Sequence, residues 1–139
     1  MAIGPFTDAV VTVNGVNLSD HVQSCSIETS RDDVDVTAMG AANKTYIAGL
    51  GDATFKVTFF QDFAAAKVHA TLYPLSVSNT PFVVTIKGTS AATSAINPQF
   101  SLTSLLFGYS PLDGSVGDAS TTEVEFRNAS QAGMTVQTV

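Results

Sequence analysis

Few residues in this chain have the type and spacing to do chemistry. His21, His69 and Cys25 are its only imidazoles and its only thiol. Asp20 beside His21 is the one acid–histidine neighbour pair. Neighbours in extended chain point to opposite faces, so adjacency alone makes no dyad; the pair reads as solvated or capping polar residues. Cys25 shares a face with Ile27 in an alternating run and reads as a small buried hydrophobe. A nucleophilic role needs a positioned base, and no pattern supplies one. A single cysteine allows no intramolecular disulfide and no multi-cysteine zinc site. Asp32, Asp33 and Asp35 follow Glu28 but lack the ligand spacing of an EF-hand loop, and read as a solvated turn. Gly-Leu-Gly-Asp at 49–52 has neither the Lys nor the strand-to-helix setting of a phosphate loop. Asn128-Ala129-Ser130 fits the glycosylation triplet, yet the first ten residues lack the basic and apolar regions of a secretion signal, so the match reads as coincidence. Nothing here supports an enzyme: no catalytic residue, cofactor or metal ligand is expected.

The elements that would position such residues are mostly strands. Short runs with period-2 alternation mark half-buried strands. Val10–Val13 opens the series, followed by Asn14-Gly15, a strong two-residue turn signal. Residues 22–29 and then 34–38 alternate. The clearest strand is 53–60, with Phe55, Val57 and Phe59 against Thr54, Lys56 and Thr58. Residues 82–87, 100–109 and 121–127 follow; in the last, Val124 and Phe126 point inward, Glu123 and Glu125 outward. Residues 62–75 break the pattern. They are Ala-rich, open on Asp62 as a candidate N-cap, and meet Pro74, which forbids continuation; one helix of about three turns is expected. Residues 39–51 read as a long loop of small residues, with 45–47 as a possible short strand inside it. Loops of this length are uncommon in compact domains unless functional. Residues 88–98 form another small polar loop. Residues 128–139 show no core pattern and read as a frayed end or an arm that docks on a neighbour.

The 139 residues make one domain, 45% hydrophobic and only 13% charged, against about 25% charged in typical soluble domains. So little charge suits either a Thr/Ser-rich β-domain or a surface meant to be covered by other subunits. The net charge is −6 with the six Lys and Arg scattered singly, which argues against tight binding of nucleic-acid phosphates. No apolar run approaches the roughly 20 residues that span a bilayer, so no membrane insertion is expected.

Several stretches, taken together, resemble a known family. They are VNGVNLSDHVQSCSIE at 13–28, DVDVTAMGA at 33–41, AGLGDATFKVTFFQDF at 48–63, the helix after it, and YSPLDGSVGDASTTEVEF at 109–126. In this order and spacing they resemble the major tail tube proteins of long-tailed, non-contractile phages, in the group common among phages of actinobacteria. The resemblance implies a mainly β fold: a β-sandwich or partly closed β-barrel of about seven strands with one flanking α-helix. It implies hexameric rings that stack on a tape-measure protein into a hollow tube conducting genomic DNA. Tail terminator and tail tip proteins would be further partners, in a virion assembled in the bacterial host cytoplasm.

Two sets of residues are then expected to matter. Met39, Tyr46, Ile47 and Leu50, in the 39–51 loop, would reach a neighbouring subunit or ring. Glu28, Thr54, Thr58, Glu123 and Glu125, on polar strand faces, would line the lumen, where negative charge keeps DNA sliding. Alternation leaves either strand face as the inner one. Rival readings are another virion component, such as a tail terminator or minor tail protein, and a β-sandwich binding module. The absence of Trp and the presence of only three Tyr argue against the binding module.

Overall fold

A computed structural model describes residues 7–139. Strands β1 (Val10–Val13) and β2 (Val16–Asn17) form a hairpin. Asn14 and Gly15 turn it with φ of 50° and 84°, the left-handed pair a two-residue hairpin requires. A single 3₁₀ turn, Ser19–His21, leads into β3 (Val22–Asp35), which pairs with β4 (Tyr46–Phe60). The helix α1 (Val68–Ser76) comes next, then β5 (Phe82–Lys87), β6 (Gln99–Leu106), β7 (Thr121–Asn128) and β8 (Thr135–Gln137).

These strands form one antiparallel sheet in the order β2-β1-β5-β6-β7-β4-β3, with β8 beside β6. Its end strands, β2 and β3, do not pair, so the sheet does not close into a barrel. One face of β1, β4, β5, β6 and β7 supplies the core, and Cys25 and Ile27 of β3 pack against it. Register stacks Ile27, Phe55 and Phe126 across β3, β4 and β7, and next to them Cys25, Val57 and Val124. Val84, Ile86, Leu102, Val11 and Val13 complete the same buried cluster, and Val68, Leu72 and Leu75 of α1 join it. The expected mainly β fold with one flanking helix is the fold observed, as a single sheet.

Several local expectations change. Asp32, Asp33 and Asp35, read as a turn, lie within the single strand β3. Asp62 does not open the helix with its carboxylate. Oδ1 instead accepts the Ala64 N–H at 2.9 Å, and Ala66 turns to φ 60°. The chain therefore leaves helical geometry, and α1 begins only at Val68 despite the Ala run. Asp62 still satisfies an orphan donor of the helix, through its backbone carbonyl, which accepts the His69 N–H at 3.0 Å. Pro74 lies inside the last turn, where it has no N–H to donate, and the helix ends two residues later. Residues 46–51, read as loop, belong to β4. Residues 135–137, read as part of a frayed or outward arm, pair with Gln99, Phe100 and Ser101 of their own sheet, and Met134 packs against the core.

The polar loop 88–98 is built around Asn97, whose side-chain amide donates to the Ala91 carbonyl at 2.9 Å while its oxygen accepts the Thr89 N–H at 3.3 Å. Asp8 ties the same loop by accepting from Ser90 N–H at 3.1 Å. Truncation of a fully buried aromatic in the Ile27–Phe55–Phe126 row should be severe. Phe55→Ala is expected to lower unfolding free energy by about 3–5 kcal/mol, read as a reduced urea midpoint at unchanged slope.

Candidate functional site

Strand β4 leads two lives. From Thr54 to Phe60 it lies between β3 and β7. Beyond the Thr54–Arg127 pair, residues 46–53 keep β3 as their only partner among the described strands. Residues 30–35 and 46–52 therefore form a two-stranded ribbon projecting from the sheet. Every residue from 28 to 48 is exposed. A lone hairpin of this kind is marginal in water, and its tip is held by local bonds. Val36 N–H donates to the Thr45 carbonyl at 3.0 Å. The Thr37 hydroxyl donates to Asp35 Oδ1 at 2.6 Å and accepts the Thr45 N–H at 2.9 Å. Bonds from the Thr37 hydroxyl and N–H hold the Asp35 carboxyl below its ordinary range.

The ribbon carries apolar side chains in water: Met39 is 104% exposed, Leu50 82%, Ile47 56% and Tyr46 51%. The four residues singled out in the sequence thus share this arm, but not one patch. Register sets Ile47 opposite Val34, and Tyr46 opposite Asp35; as neighbours, Tyr46 and Ile47 point to opposite faces. Met39 is at the tip, and Leu50 is at a register shift where two β4 residues face Asp32 alone. The partner of Ile47, Val34, was missed as a contact residue, although the Val34-Asp35-Val36 alternation marks it. Gly49 makes the shift possible: a Cβ there would lie 3.0 Å from Asp32 Cβ and 3.3 Å from its carbonyl.

The second set also converges. Thr54 faces Glu28 and Arg127, Thr58 faces Ser24 and Glu123, and Lys56 faces Ser26 and Glu125. Glu28, Thr54, Thr58, Glu123 and Glu125 therefore share the polar face of β3, β4 and β7. Sequence reasoning left out two cations on that face, Lys56 and Arg127, which the same alternation places there. Three carboxylates and two cations leave the face only weakly negative. An open groove of about 610 Å³ borders it, lined by Phe107, Tyr109, Glu123, Glu125 and Arg127.

Along the whole of β3 the outer edge is unpaired among the described strands, while the opposite end of the sheet is the two-residue β2. A long open edge recruits further strands.

The histidines make structural bonds. His21 contacts Asp20 and Asp62 at 2.7 and 2.8 Å. His69 Nδ1 lies 2.9 Å from the Tyr109 hydroxyl, which accepts from Gln61 Nε2 at 2.9 Å, and its ring stacks on Tyr73. Burial pushes the Cys25 thiol up, away from the reactive thiolate. Among the described residues no group of three His, Cys, Asp or Glu side chains is placed to hold a metal ion, and no helix is long and apolar enough to cross a membrane.

No protein-family description matches the sequence, and no curated protein matches it. Solved structures do. A chain of the virion of a native gene transfer agent (GTA) particle superposes with a TM-score of 0.76 at 9% identity, over 97% of this chain and 99% of that one. A chain from the tail of an empty GTA particle, refined in C6 symmetry, gives 0.65 at 10% identity, over 86% and 82%. The sheath/tube terminator structure of an extracellular contractile injection system gives 0.72 at 12% identity, over 97% and 96%. The fold is tail-tube-like. It is shared with tail and terminator components of phage-like particles, at identities that speak for architecture alone.

The arm's independence from the core can be tested at its bulge. Gly49→Val is expected to speed amide exchange across residues 30–35 and 46–48 roughly tenfold or more, without moving exchange in β5 or β6. Equal acceleration throughout would show that the arm and the core open as one unit.

Proposed function

We propose that this chain is the repeating wall subunit of a phage tail tube. Six copies close a ring, rings stack around a tape-measure protein, and the bore conducts genomic DNA. The observation that carries this reading is the combination of a 14-residue open edge on β3 with an apolar hairpin arm standing clear of the core, on a tail-tube-like fold. A long edge at one end of the sheet and a very short one at the other make a head-to-tail contact, and such a contact either closes into a ring or grows into a fibre. Ring closure at six satisfies the β3 edge. The arm, reaching past its own sheet, then covers Tyr46, Ile47, Leu50 and Met39 on an adjacent subunit or ring.

The polar face of β3, β4 and β7 is assigned to the bore. DNA carries a negative charge about every 1.7 Å of its axis, and a clustered basic wall would hold it by counterion release. Here Lys56 and Arg127 are interleaved with Glu28, Glu123 and Glu125 and flanked by Thr54 and Thr58, so no cationic stripe forms. The sequence resemblance supports assignment to long-tailed, non-contractile phages of the actinobacterial group, with terminator and tail tip proteins as partners in the virion, after synthesis in the host cytoplasm. Likeness to a sheath/tube terminator favours a second reading, in which the chain forms a single ring that caps a tube.

Electron microscopy of the purified chain at high concentration separates the two. Hollow six-fold tubes are expected for the wall subunit, and isolated rings that do not stack for the terminator. Tyr46→Ala combined with Leu50→Ser, or deletion of residues 41–43, should abolish stacking while leaving the folded subunit's circular dichroism unchanged. Stacking that survives both changes would remove the arm from the contact. Glu123→Lys with Glu125→Lys should slow DNA ejection from assembled particles; unaltered ejection kinetics would move this face out of the bore.

A further inference from the structure

His21 sits where three parts of the chain meet. It ends the 3₁₀ turn, directly precedes β3, and reaches across 41 positions of sequence to Asp62, just past the end of β4. Both of its ring nitrogens are occupied: Nδ1 is 2.7 Å from Asp20 Oδ1, and Nε2 is 2.8 Å from Asp62 Oδ2. An ionised carboxylate only accepts hydrogen bonds, and a neutral imidazole has a single N–H. Two carboxylates at these distances therefore require both nitrogens to donate, which only the imidazolium can do. In the neutral ring one lone pair would face a carboxylate oxygen at hydrogen-bond distance, and that contact must open.

We propose that His21 is a pH-operated latch, pinning the base of β3 to the Asp62 turn as imidazolium and releasing it on deprotonation. The charged groups facing it are Asp20 on its own turn, Asp62 on the connection to α1, and Lys67 of the same connection, whose Nζ lies 3.8 Å from Asp20 Oδ2. Asp62 is itself fixed, since Oδ1 accepts the Ala64 N–H at 2.9 Å and its carbonyl accepts the His69 N–H at 3.0 Å. The latch thus joins the start of the open-edge strand to the start of the helix. Hydrogen bonds donated to Asp20 and then to Asp62 hold the His21 imidazolium above its ordinary value near 6.5, outweighing the desolvation that opposes them. Asp20, bonded to His21, and Asp62, bonded to Ala64 and His21, both sit below the ordinary carboxylate value of 3.8.

The sign follows. For His21, the stabilisation is fully present below 6.5 and is lost as pH rises through the raised value in the folded chain. For the two carboxylates it is present above 3.8 and lost as pH falls through their lowered values. The latch is closed between these limits and opens on the alkaline side. Its geometry belongs to the folded chain whether or not copies assemble. Only the consequence for strand pairing along β3 rests on the tube reading.

The test is an NMR titration of the His21 ring on the folded chain from about pH 5 to about pH 9, with amide exchange at Val22, Ser24 and Cys25 corrected for intrinsic exchange. Both ring nitrogens should be protonated at the acidic end, with a midpoint above 6.5. Protection at the base of β3 should fall through that same midpoint, by about tenfold per unit of elevation. Asp62→Asn should lower the midpoint and flatten the exchange step while keeping a hydrogen-bonding side chain in place, and His21→Gln should remove the step. An ordinary midpoint, or protection that stays level through the titration, would overturn the latch. These readouts need no tubes, so failure of the tube reading and failure of the latch are distinguishable.

Discussion

Everything distinctive about this molecule depends on how strand β4 is held. Along its second half, Phe55, Val57 and Phe59 are buried between rows from β3 and β7, and hydrophobic burial fixes register as well as position, because a one-residue slip would turn the whole set to water. Along its first half the same strand has β3 alone. The buried half clamps the root, and the free half is carried outward as a ribbon whose direction is set by the sheet. An arm built this way is precise in placement yet cheap to deform, since few buried contacts oppose its opening.

Charge is arranged with the same economy. The chain has six cations in all, and two of them, Lys56 and Arg127, lie on the polar face beside three carboxylates. A cation facing a carboxylate across strands adds little stability where water screens it. Its larger effect is to keep the face from becoming a field of one sign. Elsewhere, charge is used where partners are close: Asp20, Asp62, Lys67 and His21 lock the junction between the 3₁₀ turn, β3 and the helix connection.

What was legible in the sequence is what burial dictates. The Asn14-Gly15 turn, the Phe55–Val57–Phe59 alternation and the β5 and β7 runs all pair a packed face with a wet one, and each appears where alternation puts it. The arm's second strand was not legible, because Gly49, Leu50 and Gly51 interrupt the alternation at a register shift, and no buried face remains to restore it. Helix propensity misplaced the start of α1, since Ala64 to Ala66 would extend a helix but Asp62 is committed to Ala64 N–H and to His21. Strand β8 carries no buried residue, so it left no pattern; only Met134 before it touches the core. The polar-face residues were found, but without Lys56 and Arg127, which expectation of a negative wall passed over.

The low charge and the exposed arm then have a common explanation in the proposed tube. Covering a largely exposed side chain such as Met39 or Leu50 stabilises by about 1.5–3 kcal/mol, and Tyr46 and Ile47, already half covered and on opposite faces, add less to any one contact, so one arm contact supplies only several kcal/mol, on the order of 3–6. Bringing two proteins together costs an estimated 4–15 kcal/mol or more in lost freedom. A single arm contact between two free copies is therefore near balance, which keeps isolated subunits apart despite their apolar projections. A copy joining a growing ring or stack makes an edge contact and an arm contact at once, and the second contact forms without paying the association cost again. In the proposed tube, the same surfaces that are too weak to make dimers become sufficient to build a wall.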